Sequence, residues 1–324
     1  MNRSSLISAP ISREMEEFRK LFGSSLSSSN LLLQEVIEHI RQKNGKMMRP
    51  MLVLLAAKLL GGVRPATLYA AVSLELLHTA SLVHDDVVDD STERRGQLSV
   101  NALFNNKVAV LTGDFLLATS LIQASQTKNL AIIDLISGLG QDLADGELLQ
   151  LSNVSNQSFS EEVYFDVIRK KTAALFASCT KAGALSVGAD EAKTEVLRRF
   201  GEYIGLCFQV KDDIFDYYES KQIGKPTGND MLEGKLTLPV LYALNSTHDE
   251  RATLLARRVK AGQATAEEIG ELIAFTKEHG GIEYAWRTMD VLRAKALDLL
   301  EGVPAGEVKE ALTAYIDYVV ERDK

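Results

Sequence analysis

Apolar residues recur along this chain at the spacing of helices. The runs AVSLELLHTASLV (71–83) and FGEYIGLCF (200–208) place apolar side chains three and four positions apart, and the strand pattern of strict alternation is scarce. All six prolines lie at positions 10, 50, 65, 226, 239 and 304, so residues 66–225 contain none. Proline costs about 3 kcal/mol inside a helix, and so long a gap suits consecutive helices. The chain is therefore read as all-α. Predicted helices span about 31–43 with Ser29 or Asn30 as cap, 50–60 with Pro50 at the first position and a stop at Gly61-Gly62, and 65–90. They continue over 100–151 with breaks near Asn129 and Gly138–Gly140, then over 161–185 and 192–218, and again after Pro239. NVSNQSFS (153–160) reads as a polar loop, and SKQIGKPTGND as a Gly/Pro loop. Ser158 with Glu161, and Thr265 with Glu268, have capping-box spacing. No solenoid repeat or convincing linker divides the chain, so residues 1–324 are read as a single domain with a mobile tail over 1–10.

Two helical runs end in acid. LVHDDVVDD carries Asp85, Asp86, Asp89 and Asp90, and Arg94 and Arg95 follow at once. On a helix Asp85 lies over Asp89 and Asp86 over Asp90, and like charges at that spacing cost about 0.2–0.5 kcal/mol per pair. The cluster makes sense if a cation sits on it. Far downstream, QVKDDIFDY repeats the design with Asp212, Asp213 and Asp216. Two acidic helix ends of one pattern suggest two walls of one site, and hard oxygen ligands with room for water and phosphate favour Mg²⁺. The plain alternative is two solvated acidic faces. Basic residues are grouped nearby: Lys43, Lys46 and Arg49 in a loop, Lys170 and Lys171 on the helix between, and Lys211, Lys225 and Lys235 around the second cluster. Carboxylates and cations together suit a metal-bridged polyanion. There is no GxxxxGK[ST] loop and no kinase signature.

Composition narrows the classes further. A net charge of −8 argues against nucleic acid or an anionic membrane as the main partner. Cys179 and Cys207 lack metal-ligand spacing and are expected to be buried thiols in a reducing compartment. The N-terminal residues lack the apolar core of a signal peptide, and no run of 18 apolar residues is present. A cytoplasmic protein without a transmembrane segment is expected.

These motifs, in this order, resemble the trans-isoprenyl diphosphate synthases. GKMMRP is similar to that family's GKxxRP loop, LVHDDVVDD with RRG to its first aspartate-rich motif, and RKKTAALF to its Lys-Thr segment. FQVKDDIFD is similar to its second aspartate-rich motif, and GKPTGNDMLEGKLTLP to the loop after it; the match covers nearly all of Gly45 to Pro239. The resemblance implies an all-α isoprenoid-synthase bundle around a central apolar cavity, and a homodimer. It implies an elongation in which isopentenyl diphosphate attacks the carbocation formed from an allylic diphosphate. Three Mg²⁺ ions would be held by Asp85, Asp86, Asp89, Asp212, Asp213 and Asp216, with Asp90 an extra acid. Arg94, Lys171, Gln209, Lys235 and Lys225 would contact the allylic diphosphate, and Thr172 would steer the cation. Lys46, Arg49, His78 and Arg95 would hold isopentenyl diphosphate. A lone histidine on an apolar helix is by default a core residue, but His78 lies two turns before Asp85 on the same face. A terpene cyclase would carry an Asn/Ser/Glu triad at the second motif, where this chain has DDIFD, and a non-catalytic partner subunit would have lost ligands that are kept here. Ala80 and Ser81, one turn before Asp85, are both small where short-chain members carry a large aromatic residue. This implies a long-chain product, heptaprenyl to decaprenyl, of the kind used for quinone side chains. The alternative is a deeper floor that limits the product to farnesyl or geranylgeranyl.

Overall fold

A computed structural model describes residues 3–42, 45–94, 96–155, 158–218 and 227–322. The chain is all-α. Helices α1 (Arg3–Ser8), α2 (Ser12–Ser25), α3 (Leu31–Gln42), α4 (Met48–Leu60) and α5 (Pro65–Val88) precede a two-stranded hairpin, β1 (Glu93–Arg94) with β2 (Gln97–Leu98). Helices α6 (Val100–Leu103), α7 (Asn106–Gln126), α8 (Leu130–Ser155), α9 (Glu161–Ile168), α10 (Ala174–Ser186) and α11 (Glu191–Phe215) follow. Then come α12 (Asn229–Leu232), α13 (Leu238–Thr247), α14 (Glu250–Lys260), α15 (Ala266–Glu278), α16 (Gly281–Leu299) and α17 (Glu307–Glu321). Arg169–Ala173, between α9 and α10, is a π-helical turn.

Contacts divide the chain into two compact units. The first comprises Met1–Gln141, Leu175–Gly201 and Leu299–Tyr315; the second comprises Asp142–Ala174, Glu202–Asp298 and Ile316–Lys324. In the first unit α4 is buried from Pro50 through Ala57, as expected of a helix apolar on every side. It begins at Met48, so Pro50 sits inside the first turn rather than opening it. The missing N–H still falls where no intrahelical partner exists. Gly183 lets α10 approach α4 closely: a Cβ there would lie 2.4 Å from the Val53 carbonyl oxygen and 2.8 Å from Ala56 Cβ. Helix α5 is tied by Ser73 Oγ donating to the Ser120 carbonyl on α7 at 2.8 Å, and by Thr67 to Ser186 on α10 at 2.6 Å.

Several boundaries differ from the sequence reading. Residues expected to be a mobile tail form α1 and a 3₁₀ turn, with Ile7 and Ile11 1% and 0% exposed. Helix α2 was not foreseen, because its buried stripe is only Met15, Phe18 and Phe22. The break after α7 falls at 127–129, near the expected Asn129, whereas Gly138 and Gly140 sit inside an unbroken α8. Helix α8 runs on to Ser155, into the expected polar loop. Helix α9 is capped by Ser160, whose Oγ accepts from Val163 N, and not by Ser158. The capping box of Thr265 and Glu268 forms as expected. Although no run of 18 residues is wholly apolar, α5 and α7 are long and apolar enough to cross a membrane. Their best 18-residue windows have mean hydropathies of 1.3 and 1.4, and 61% and 44% of these windows is buried in the fold.

Candidate active site

The first acidic cluster closes α5, in the first unit. Asp85 lies in the last turn and is half-buried; Asp89 caps the helix and is exposed, its N–H donating to the Asp85 carbonyl at 2.8 Å. Asp90 follows in the left-handed region, with φ of 49°. Carboxylates at a helix C-terminus oppose the helix dipole, typically by about 0.3–1 kcal/mol each. Asp85 and Asp89 therefore meet both their own repulsion and the dipole, and a cation relieves both. Asp86 points elsewhere. It is 2% exposed and takes Nε and Nη2 of Arg94 on Oδ1, at 2.7 and 2.6 Å. The Ser91 N–H and Asn101 Nδ2 donate to its carbonyl. Arg94, assigned from the sequence to an allylic diphosphate, is in this structure the partner of an aspartate assigned to metal. The hairpin bearing Arg94 is held to α3 from its other strand: Gln97 Nε2 donates to the His39 carbonyl, and the His39 ring meets the Leu98 carbonyl at 2.8 Å.

His78, Leu82, Asp86, Arg94 and Gln97 line an open cleft of about 860 Å³ in this unit. His78 is 9% exposed. Arg49 is half-buried, its guanidinium 5.2 Å above the Phe176 ring, and its Nε is buried with no hydrogen-bond partner among the described residues. A buried guanidinium N–H without an acceptor is a place for an anion. Lys46 is exposed. Ala80 is 1% exposed, and Ser81 Oγ donates to the His78 carbonyl at 2.9 Å. Arg95 and Lys225 lie outside the described residues.

The second unit holds the other cluster, at the end of α11. Asp212 accepts from Arg322, just past α17; that arginine also donates to the Phe208 carbonyl and stacks 3.9 Å over the Phe208 ring. Asp216 accepts from the N–H groups of Asn229 and Asp230 at 3.0 and 3.1 Å, which ties it to the start of α12. Asp213 is 3% exposed. Its Oδ2 accepts from the Tyr164 hydroxyl at 2.5 Å and its Oδ1 from Gln209 Nε2 at 2.8 Å. Burial and nearby Asp230 push its carboxyl well above the usual carboxylate range. Asp230 itself is pushed up to about 7, by desolvation and then by Asp216. Lys211, beside the cluster, is 4% exposed and sits 4.1 Å over the ring of Trp286.

The π-helical turn carries Lys170, Lys171 and Thr172, and such turns often mark functional sites. Gly146 on α8 permits the approach: a Cβ there would lie 2.8 Å from Lys171 N. Lys171 pairs with Glu147, which also accepts from Gln150 at 3.0 Å; Lys235 pairs with Glu233. Thr172 Oγ1 donates to Gln209 Oε1 at 2.8 Å. Lys171, Thr172, Gln209, Asp213, Asp230 and Lys235 line a cleft of about 710 Å³. Glu147, Tyr164, Asp230 and Arg322 are polar partners that sequence reasoning missed. Only Asp230 carried a signal, since it lies in the loop already singled out. Cys179 and Cys207 are buried thiols pushed up to about 12 by desolvation.

Among the described residues no three His, Cys, Asp or Glu side chains stand close enough together to hold a metal ion. Mg²⁺ is commonly bound through one or two carboxylates plus substrate phosphates, with water completing its shell. Asp85, Asp89, Asp212 and Asp216 are more exposed than Asp86 and Asp213, whose carboxylates are buried.

Residues 30–275 match the polyprenyl synthetase family, and the chain belongs to it. It is a prenyltransferase of the polyprenyl diphosphate synthase type. Over 311 residues it is 36% identical to an octaprenyl diphosphate synthase of Haemophilus influenzae, covering 96% of this chain and 94% of that one. A crystal structure of geranylgeranyl pyrophosphate synthase from Bacteroides thetaiotaomicron is 61% identical, covers 99% of this chain and 100% of its own, and superposes with a TM-score of 0.89. A polyprenyl synthase from Caulobacter crescentus, complexed with calcium and isoprenyl diphosphate, is 31% identical with a TM-score of 0.92, covering 99% and 98%.

Proposed function

We propose that the chain condenses isopentenyl diphosphate with an allylic diphosphate, by successive Mg²⁺-dependent head-to-tail additions, to give a long-chain all-trans-polyprenyl diphosphate for quinone side chains. The observation that carries this reading is the placement of Asp85 and Asp89 on one face at the negative end of α5, where like charge and the helix dipole together favour a bound cation. Asp85, Asp89, Asp212 and Asp216 would hold Mg²⁺, which when bound neutralises charge on the leaving diphosphate. Lys171, Lys235 and Gln209 grip the allylic diphosphate; Lys46, Arg49 and His78 grip isopentenyl diphosphate. Lys171 must leave Glu147 to do so.

Arg49→Ala is expected to raise KM for isopentenyl diphosphate far more than KM for the allylic primer. A charge-assisted contact contributes about 1.5–3 kcal/mol, so roughly a tenfold rise or more should be read in initial rates. Equal effects on both substrates would remove the assignment.

A homodimer accompanies this reading. Val110, Leu111, Leu121 and Ile122 are 41–68% exposed along α7, an apolar stripe that a second copy would cover. The deciding experiment is incubation of the purified chain alone with labelled isopentenyl diphosphate and an allylic primer, with and without Mg²⁺. Its products are resolved by chain length, and the mass of the chain is read by light scattering. Heptaprenyl to decaprenyl products, formed only with Mg²⁺ by a dimer, are expected. The name of the Bacteroides relative favours a second reading, geranylgeranyl synthesis, and a product that stops at that length would establish it. No turnover without another chain would instead establish a partner subunit.

A further inference from the structure

In the first unit Arg49 is seated on a helix distant from it in sequence. Its guanidinium carbon lies 5.2 Å from the centroid of the Phe176 ring, and Phe176 belongs to α10, where it is 2% exposed. Backbone packing holds this seat. Gly183, two turns beyond Phe176 on α10, meets Val53, Ala56 and Ala57 on α4, one to two turns beyond Arg49. The two helices therefore run side by side in the same direction, and what fixes Gly183 against α4 fixes Phe176 beside Arg49. Cys179, one turn along from Phe176 and 0% exposed, feels the charges of both Arg49 and Glu75, so the guanidinium stands where α4, α5 and α10 meet.

This seat limits what the guanidinium can present. One of its faces lies on the ring, and an aromatic face attracts a cation more strongly where water is excluded. Its Nε is buried and has no hydrogen-bond partner among the described residues. The two terminal nitrogens are what remains to be turned toward a ligand, and a planar fork of that kind meets two phosphate oxygens at once. A long side chain that moved freely would have to be ordered when the anion binds, at a cost in affinity. Arg49 is ordered before the anion arrives.

We propose that Phe176 is a positioning residue for substrate binding: its ring holds the plane of the Arg49 guanidinium, so that the diphosphate of isopentenyl diphosphate meets an arginine fork already oriented. The inference rests on the assignment of Arg49 to that substrate above. It goes beyond it by giving work to an apolar residue at the end of RKKTAALF (169–176), and by requiring arginine, rather than any cation, at position 49. Phe176 acts through Arg49 and needs no contact of its own with the substrate.

The test sets KM for isopentenyl diphosphate against KM for the allylic primer and kcat. Phe176→Met keeps most of the buried apolar volume and removes the ring face. By the cost of ordering one long side chain, it should raise KM for isopentenyl diphosphate about threefold to tenfold. KM for the allylic primer and kcat should change by no more than about twofold, the scatter expected of an uncoupled site. A ring that only filled space would move all three or none. Phe176→Leu should behave alike, and circular dichroism melts show which of the two variants keeps the fold. In an Arg49→Ala background neither substitution should raise KM for isopentenyl diphosphate by more than about twofold further, because the ring then has nothing to hold. Arg49→Lys leaves α10 untouched and keeps the charge, but it has neither the plane nor the fork, and it should raise the same KM about threefold or more. An equal rise in both KM values, an unchanged KM for isopentenyl diphosphate in both ring variants, losses that add in the Arg49→Ala background, or a wild-type KM in Arg49→Lys would each overturn the proposal. An Arg49→Ala chain whose KM for isopentenyl diphosphate is unchanged, or a wild-type chain that makes no prenyl product, removes the reading beneath it and is distinct from all of these.

Discussion

Asp85→Ala is expected to abolish measurable turnover while leaving the fold intact. Asp85 stands over Asp89 at the C-terminal end of α5, so its removal relieves like-charge repulsion of about 0.2–0.5 kcal/mol and an unfavourable dipole interaction of similar size. On the proposed reading, what it takes away is a ligand for the cation that neutralises the leaving diphosphate. Losses of electrostatic stabilisation of this kind cost on the order of 3 kcal/mol or more, a hundredfold or more in kcat. Asp212→Ala should lose activity to the same degree but behave differently on melting. Its partner Arg322 has a side chain only 10% exposed, and stranding that guanidinium costs about 1–3 kcal/mol. Circular dichroism melts beside initial rates at saturating Mg²⁺ separate the two effects. Near-wild-type turnover in either variant would end the metal assignment.

Ala80→Tyr is expected to shorten the product. On the proposed reading the growing tail would run from the diphosphate along α5, away from Asp85, and Ala80 and Ser81 lie about one turn, or 5.4 Å, before that residue. This is close to the reach of one five-carbon unit. Neither side chain is large enough to stop growth there, and Leu76 and Leu77 form the next level. With the way open, each further buried CH₂ favours elongation by roughly 0.8 kcal/mol. A phenol at position 80 would close the path after a few additions. Since Ala80 is 1% exposed, the larger side chain should also cost about 1–3 kcal/mol of stability. Chromatography of the products by chain length decides the matter. An unchanged distribution, or a wild-type product no longer than geranylgeranyl, would place the floor elsewhere.

The helices of this chain and the positions of its acidic clusters were legible because both depend on near neighbours. An apolar residue every three or four positions determines a buried helix face wherever the helix packs. Like charges four apart at a helix end conflict with each other in any fold, so Asp85 with Asp89, and Asp212 with Asp216, could be singled out without coordinates. The local signal failed where it was thin. Helix α2 buries only three side chains, α1 offers Ile7 and little else, and two nearby serines compete to cap α9. The π-helical turn under Lys171 and Thr172 leaves no mark in the apolar period, and neither does the close approach of α8 to it at Gly146.

How deeply each aspartate of a motif is buried, and against what, was decided by tertiary structure alone. In sequence Asp85 and Asp86 are equivalent, as are Asp212 and Asp213. In the fold Asp86 turns inward to Arg94 from the hairpin, and Asp213 turns inward to Tyr164 from α9. Asp212 meets Arg322 from the far end of the chain. A carboxylate's partners arrive on elements distant in sequence, and its desolvation depends on all of them together. The type and spacing of the charged groups could thus be read from the chain, whereas their partners, their burial and the direction of their hydrogen bonds came only with the packing of the helices.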